Sequence, residues 1–94
     1  MSVQFHAFEA LTVSSNSLGL TSATYGGADY AHIYVDVADV RMRLDAGTAS
    51  ATNGIPLAVG DEVELEGVEE VTRARFIRDG ATDATLQVNY GVRR

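Results

Sequence analysis

Apolar and polar residues alternate along most of this chain, and the alternation changes phase once in a telling place. In the stretch Tyr30–Asp45, Ile33, Val35 and Val37 occupy odd positions, with His32, Tyr34 and Asp36 between them. Beyond Ala38–Asp39 the apolar set moves to even positions: Val40, Met42 and Leu44, separated by Arg41, Arg43 and Asp45. A period of two marks half-buried strands. A strand that slipped by one residue would send its apolar side to the wrong face. Ala38–Asp39 is therefore expected to be a tight hairpin turn or a bulge between two strands.

The rest of the chain follows the same logic. Val3–Val13 reads as a first strand, with Phe5, Ala7, Leu11 and Val13 on one parity and His6, Phe8 and Ala10 on the other. Both of its faces are partly apolar, so residues 1–13 are expected to serve as a docking or subunit-exchanging strand. Ser14–Ser17 is a polar loop, Leu18–Thr21 is too short to assign, and Tyr25–Asp29 is a glycine turn. A loop of small residues runs from Ala46 to Gly54. Ile55-Pro56-Leu57 follows it, and proline suits an edge strand or a strand start. Glu62–Glu66 is a strand with Val63 and Leu65 inward. Gly67–Glu69 is a bend, and Val71–Arg78 is a strand with Ala74 and Phe76 on one side and Arg73 and Arg75 on the other. Asp79-Gly80 is a hairpin turn. Ala84–Val92 closes the chain with Leu86, Val88 and Tyr90 inward.

Strands punctuated by turns every eight to twelve residues or so predict an all-β domain. It would be an antiparallel β-sandwich or small β-barrel of about seven to eight strands, with consecutive strands mostly paired. The 94 residues make a single domain, 1–94, with a modest core. There is no cysteine, so neither a disulfide nor a thiolate metal site can supplement that core, and self-association is the natural substitute. No apolar run nears the roughly 20 residues of a membrane-crossing helix. Met1–His6 lacks the basic-then-apolar order of a signal peptide. The net charge is −6, so neither nucleic acid nor an anionic membrane is an expected partner. Every fixed base is Arg and none is Lys, which suits planar, ordered contacts.

The densest charge feature is Asp61, Glu62, Glu64, Glu66, Glu69 and Glu70. Calcium sites draw six to eight oxygens onto one loop, roughly speaking, whereas alternate glutamates on a strand spread along one face. The run reads as a solvated strand face that discourages edge pairing. Arg41, Arg43, Arg73 and Arg75 are the complement. They either pair with the glutamates across neighbouring strands or meet them across subunits. His6 and His32 read as ordinary strand residues, and Asp29, Asp36 and Asp39 as turn caps. No nucleophile elbow, phosphate loop or His-x-x-x-His is present in the sequence. The expectation is a non-enzyme with no catalytic residue, cofactor or metal. Tyr25, Tyr30, Tyr34 and Tyr90, with Phe5 and Phe8, are the recognition aromatics. The expected interface is Phe5, His6, Phe8, Tyr34, Arg41, Arg43, Arg73 and Arg75.

From Asp29 to Tyr90 the layout carries a resemblance. Ala-His-Ile-Tyr-Val is followed by Val-Arg-Met-Arg-Leu-Asp-Ala-Gly-Thr, a loop ending Asn-Gly-Ile-Pro-Leu, then Val-Gly-Asp-Glu-Val-Glu-Leu and Ala-Arg-Phe-Ile-Arg-Asp-Gly. This resembles the small virion structural proteins of tailed bacteriophages, found among head and neck genes. Asp-Ala-Gly-Thr at Asp45–Thr48 departs from the tighter Asp-Gly turn expected there. The resemblance implies a capsid decoration (cement) protein in the virion, assembled in the host cytoplasm. It would be a homo-oligomer, with a trimer among the expected orders. Its partners would be the major capsid protein or other virion proteins. A neck or tail protein of the same fold, and a carbohydrate- or cation-binding sandwich module, are the alternatives.

Overall fold

A computed structural model describes residues 2–50 and 53–93. Eight strands form two four-stranded antiparallel sheets. The strands are β1 (Val3–Val13), β2 (Leu18–Gly19), β3 (Tyr30–Asp36), β4 (Val40–Arg43), β5 (Ile55–Leu57), β6 (Glu62–Glu66), β7 (Arg75–Arg78) and β8 (Ala84–Arg93). Two short helices interrupt them, α1 (Ser22–Tyr25) and α2 (Val68–Arg73). One sheet has the order β1-β8-β3-β6 and the other β2-β7-β4-β5. Pairing first with last, second with seventh and inward in this way is a long hairpin wrapped into two layers, the jelly-roll arrangement.

The predicted all-β sandwich stands, but its connections differ from those expected. Only β4 and β5 are consecutive strands that pair. Every other link carries the chain from one sheet to the other. Tyr30–Asp45 is thus no hairpin. β3 lies in the first sheet, β4 in the second, and the phase change is the corner between them. Ile33, Val35, Val40 and Met42 all point into the interlayer space and are buried in one cluster. At the corner Ala38 N–H donates to Asp36 O at 2.9 Å around Val37, whose φ is +73°. This is a γ-turn of the positive-φ kind. Likewise Asp79-Gly80 begins a crossing between sheets rather than a hairpin.

The core is the apolar face of each strand. Val13, Leu86, Val88 and Tyr90 from β1 and β8, and Leu65 from β6, face Val40, Met42, Leu57 and Phe76. Two local readings change. Val71–Arg73 belongs to α2, which buries Val71 beneath its turn. Arg73 is therefore helical and Arg75 is in β7, so the two do not share a strand face. In β1 the register shifts between Phe5 and Ala7, leaving His6 as the extra residue of a bulge. That bulge turns Phe5 away from the core parity it shares in the sequence with Leu11 and Val13. Within the loop Ala46–Gly54, Ala51 and Thr52 lie outside the described residues, as does Arg94.

Candidate functional site

Residues directly opposite in an antiparallel pair share a face. Register therefore assigns the outer surface of the first sheet row by row, in the order β1, β8, β3, β6. One row is Phe5, Gly91, Tyr30, Glu66; the next is Phe8, Asn89, His32, Glu64; a third is Ala10, Gln87, Tyr34, Glu62. The face thus grades from aromatic on the β1 side to acidic on the β6 side. Phe5, Phe8 and Tyr34 are 51%, 55% and 38% exposed. Without the bulge at His6, Phe5 would sit on the other face.

Two side-chain hydrogen bonds tie β3 to β6 across this face. Tyr30 O–H donates to Glu64 Oε2 at 2.7 Å, and His32 Nε2 meets Glu62 Oε1 at 2.7 Å. Each bond runs diagonally between β3 and β6. The Phe5 ring covers Tyr30 across Gly91, with centroids 5.9 Å apart and planes tilted by 60°. A side chain at Gly91 would not fit, since its Cβ would fall 2.7 Å from Gln4 O and 2.9 Å from Val3 Cγ1. Burial, followed by the bond to Glu64 and the charges of Glu64 and Glu66, pushes the Tyr30 phenol up to about 12.

Among the recognition aromatics of the sequence, Tyr90 is fully buried on the inner face and Tyr30 is largely covered. Tyr90 packs its ring 5.9 Å from Tyr25 and donates its hydroxyl to Glu9. Burial, then this bond, drives the Tyr90 phenol well above its usual range. Glu9 also accepts from Thr21 N–H at 3.2 Å and Thr21 Oγ1 at 2.7 Å. This inward carboxylate was not singled out from the sequence. The signal was there, since Glu9 breaks the apolar parity of Ala7, Leu11 and Val13.

The arginines lie elsewhere. Arg41 and Arg43 from β4, with Arg75 from β7, occupy the outer face of the second sheet, where Arg43 stands directly opposite Arg75. The Glu62–Glu66 row is in the other sheet, so the cross-strand Arg–Glu pairing within one chain does not occur. Local groups engage these arginines instead. Arg43 grips Asp45 with Nε at 3.0 Å and Nη2 at 2.6 Å, and Asp45 also accepts from Gly47 N–H. That clamp, led by the Arg43 hydrogen bond, holds the Asp45 carboxyl down to about 2 and raises the Arg43 guanidinium. The loop at Asp45–Thr48 is thus built on a guanidinium in place of a tight Asp-Gly turn. Arg41 Nε lies 3.4 Å from Asp79 Oδ2, and Arg75 Nη1 donates to the carbonyls of Thr72 and Ala74. Arg73 pairs with Glu69 one helical turn back at 3.6 Å. The eight expected interface residues therefore divide into three places. Phe5, His6, Phe8 and Tyr34 are on the first sheet, Arg41, Arg43 and Arg75 on the second, and Arg73 on α2.

Of the three aspartates read as turn caps, Asp36 caps its own turn by accepting from Val37 N–H, whereas Asp39 accepts from Val59 N–H of a distant turn and Asp29 from Arg93 N–H of β8. Among the described residues no three His, Asp or Glu side chains converge as metal ligands, no pocket opens, and no helix is long and apolar enough to cross a membrane. What this surface offers chemically is an aromatic-to-acidic sheet face on a two-layer body. In comparisons with protein-family models, curated proteins and solved structures, nothing matches this chain.

Proposed function

We propose that this chain is a non-enzymatic structural protein of a tailed-bacteriophage virion, a decoration protein that docks on the assembled head. The outer face of the β1-β8-β3-β6 sheet carries the reading. It exposes Phe5, Phe8 and Tyr34 together. Interface cores are rich in Tyr and Phe and poor in Lys, and this chain has no Lys. Its strand order supports the reading by analogy of fold, since viral capsid domains use jelly rolls; lectin domains and cupins use them as well. A face rather than a cavity is the feature that chooses among these. Docked across a seam between shell subunits, the aromatics lose water while the Glu62–Glu66 row discourages misplaced anionic neighbours. Many copies on one shell multiply contacts that are weak singly.

The test is to add the purified chain to heads assembled from the major capsid protein of the same genome. Expected are binding at copy numbers that follow the shell lattice and heads that resist heat better. Phe8→Ala and Tyr34→Ala should each weaken binding about tenfold while leaving the fold intact. No binding to mature heads overturns the proposal. About a dozen copies or fewer, gathered at one vertex, would place the chain at the neck or tail instead. A glycan or calcium ion that raises the melting temperature, with no head binding, would favour a carbohydrate- or cation-binding module.

A further inference from the structure

A sheet edge exposes unpaired N–H and C=O groups and invites another strand, so proteins blunt their edges with short strands, proline or charge. Three of the four edges here are blunted. β2 is two residues long, and β5 is three residues with Pro56 at its centre. β6 carries Glu62, Glu64 and Glu66, and Glu70 Oε1 accepts the Glu66 N–H at 2.9 Å. The fourth edge, β1, has only a bulge at His6 near its start and one inward charge. It is eleven residues long, with neither proline nor lysine. Its single charge, Glu9, is turned inward and occupied by Tyr90 and Thr21. Its backbone pairs with β8 on one side. Among the described residues no backbone hydrogen bond reaches residues 3–13 from the other side.

We infer that β1 is a self-association edge, pairing antiparallel with β1 of a second copy about a two-fold axis to give one continuous eight-stranded sheet. An axis perpendicular to the sheet puts the outer faces of both copies on the same side. Phe8 of each copy then comes to the seam, which accounts for a phenylalanine left half exposed at a free edge, while Phe5 stays over Tyr30. Eleven residues at about 3.4 Å each make an edge about 37 Å long. One sheet layer is about 10 Å thick, so that strip is on the order of 400 Å² per copy, the size of a weak, concentration-dependent contact. β1 is the one edge longer than three residues whose pairing with itself brings no opposed row of charge together. Pairing β6 with β6 would stack glutamates on glutamates. The inference stands on edge chemistry and does not need the virion reading.

The test is the mass in solution and how it responds to charge at the seam. Sedimentation velocity of the full chain should give twice its 10.0 kDa mass. Phe8→Lys places like charges across the axis and should weaken dimerisation roughly a hundredfold with unchanged circular dichroism. Mixing the Phe8→Lys chain with a Phe8→Glu chain should restore a heterodimer, read by native mass spectrometry. Ala10→Lys, at another exposed position of β1, serves if Phe8→Lys does not fold. Hydrogen exchange should slow at β1 amides as concentration rises. A monomer at all accessible concentrations overturns the inference. So does an oligomer that survives both lysine variants, or one broken by charge reversal at Glu62 and Glu64. Because no capsid enters these measurements, their failure is separate from failure of head binding.

Discussion

The corner at Val37 can be tested by a substitution that should stabilise the protein. Val37 holds φ at +73°, where a β-branched side chain crowds its own backbone. Such outliers cost about 1–3 kcal/mol and persist only where the surroundings over-determine them. Here those surroundings are the two sheets that the corner must join, the Ala38 N–H to Asp36 O bond, and the Asp36 carboxylate accepting the Val37 N–H at 2.9 Å. Val37 is 62% exposed, so its side chain returns little: about a third of a valine's burial, or roughly 0.5 kcal/mol. Asparagine is several-fold enriched among the non-glycine residues found at positive φ and keeps the same backbone bonds. Val37→Asn should therefore gain about 1 kcal/mol net, equivalent to a melting temperature higher by roughly 4–8 °C in a domain of this size. Val37→Gly relieves the same strain but frees the unfolded chain, giving back about 0.5–1 kcal/mol. The order Asn above Gly, with Gly close to Val, is the signature. Urea unfolding reads it as a shift of midpoint at constant slope. A Val37→Asn protein less stable than the parent would refute the reasoning, because it would show that the valine side chain holds the corner.

Three further outcomes follow from the packing. Phe76 is fully buried between the sheets; Phe76→Ala should cost about 3–5 kcal/mol out of a total of roughly 5–14 kcal/mol for a domain of this length, measured by denaturant titration. Gly91→Ala sets a methyl against the Gln4 carbonyl; it should cost about 1–3 kcal/mol, and hydrogen exchange should quicken first at the start of β1. Tyr30, raised to about 12 in the fold, stabilises the fold fully below its unfolded value near 10. That contribution fades as pH rises through 12, so Tyr30→Phe should flatten the alkaline loss of stability and lower the late tyrosinate absorbance by one tyrosine, leaving the still later Tyr90. Late absorbance undiminished in Tyr30→Phe would count against the Tyr30–Glu64 bond.

Faces were legible in the sequence, and neighbours were not. Period-two alternation told which side of β3, β4, β6 and β8 points inward, and the structure keeps Ile33, Val35, Val40, Met42, Leu65, Leu86, Val88 and Tyr90 in the core. Alternation carries no information about which sheet a strand joins. A phase change at Ala38–Asp39 is equally the mark of a hairpin and of a corner between layers. What separates them is the pairing of β3 with β8 and of β4 with β7, partners about fifty-five and thirty-five residues on. Helix α2 was missed because six residues hold too little of a 3.6 period to outweigh the strand-like Val71–Phe76. For the site, Phe8 and Tyr34 were placed by parity alone. Phe5 joined them through a bulge that parity cannot foresee, and the arginines went to the opposite sheet for want of any signal about sheet membership.

Glu9 links these levels. A charge on the inward parity of an otherwise apolar strand looks like an error of pattern, and an unpaired buried carboxylate would be one. Its partners make it otherwise. The Tyr90 hydroxyl comes from the neighbouring strand, and the Thr21 N–H and hydroxyl come from the segment that leads into α1. The carboxylate thereby ties β1 to the crossing between β2 and β3 at the side where β2, only two residues long, leaves the second sheet short. An inward charge is also one of the devices that discourages strand pairing, but here its oxygens are already taken from within the chain. The outer edge of β1 is thus left tethered and uncharged. A tethered strand loses less entropy when it pairs than a loose one does. The residue that most disturbs the pattern of β1 is therefore the one that holds its open edge ready for a partner strand.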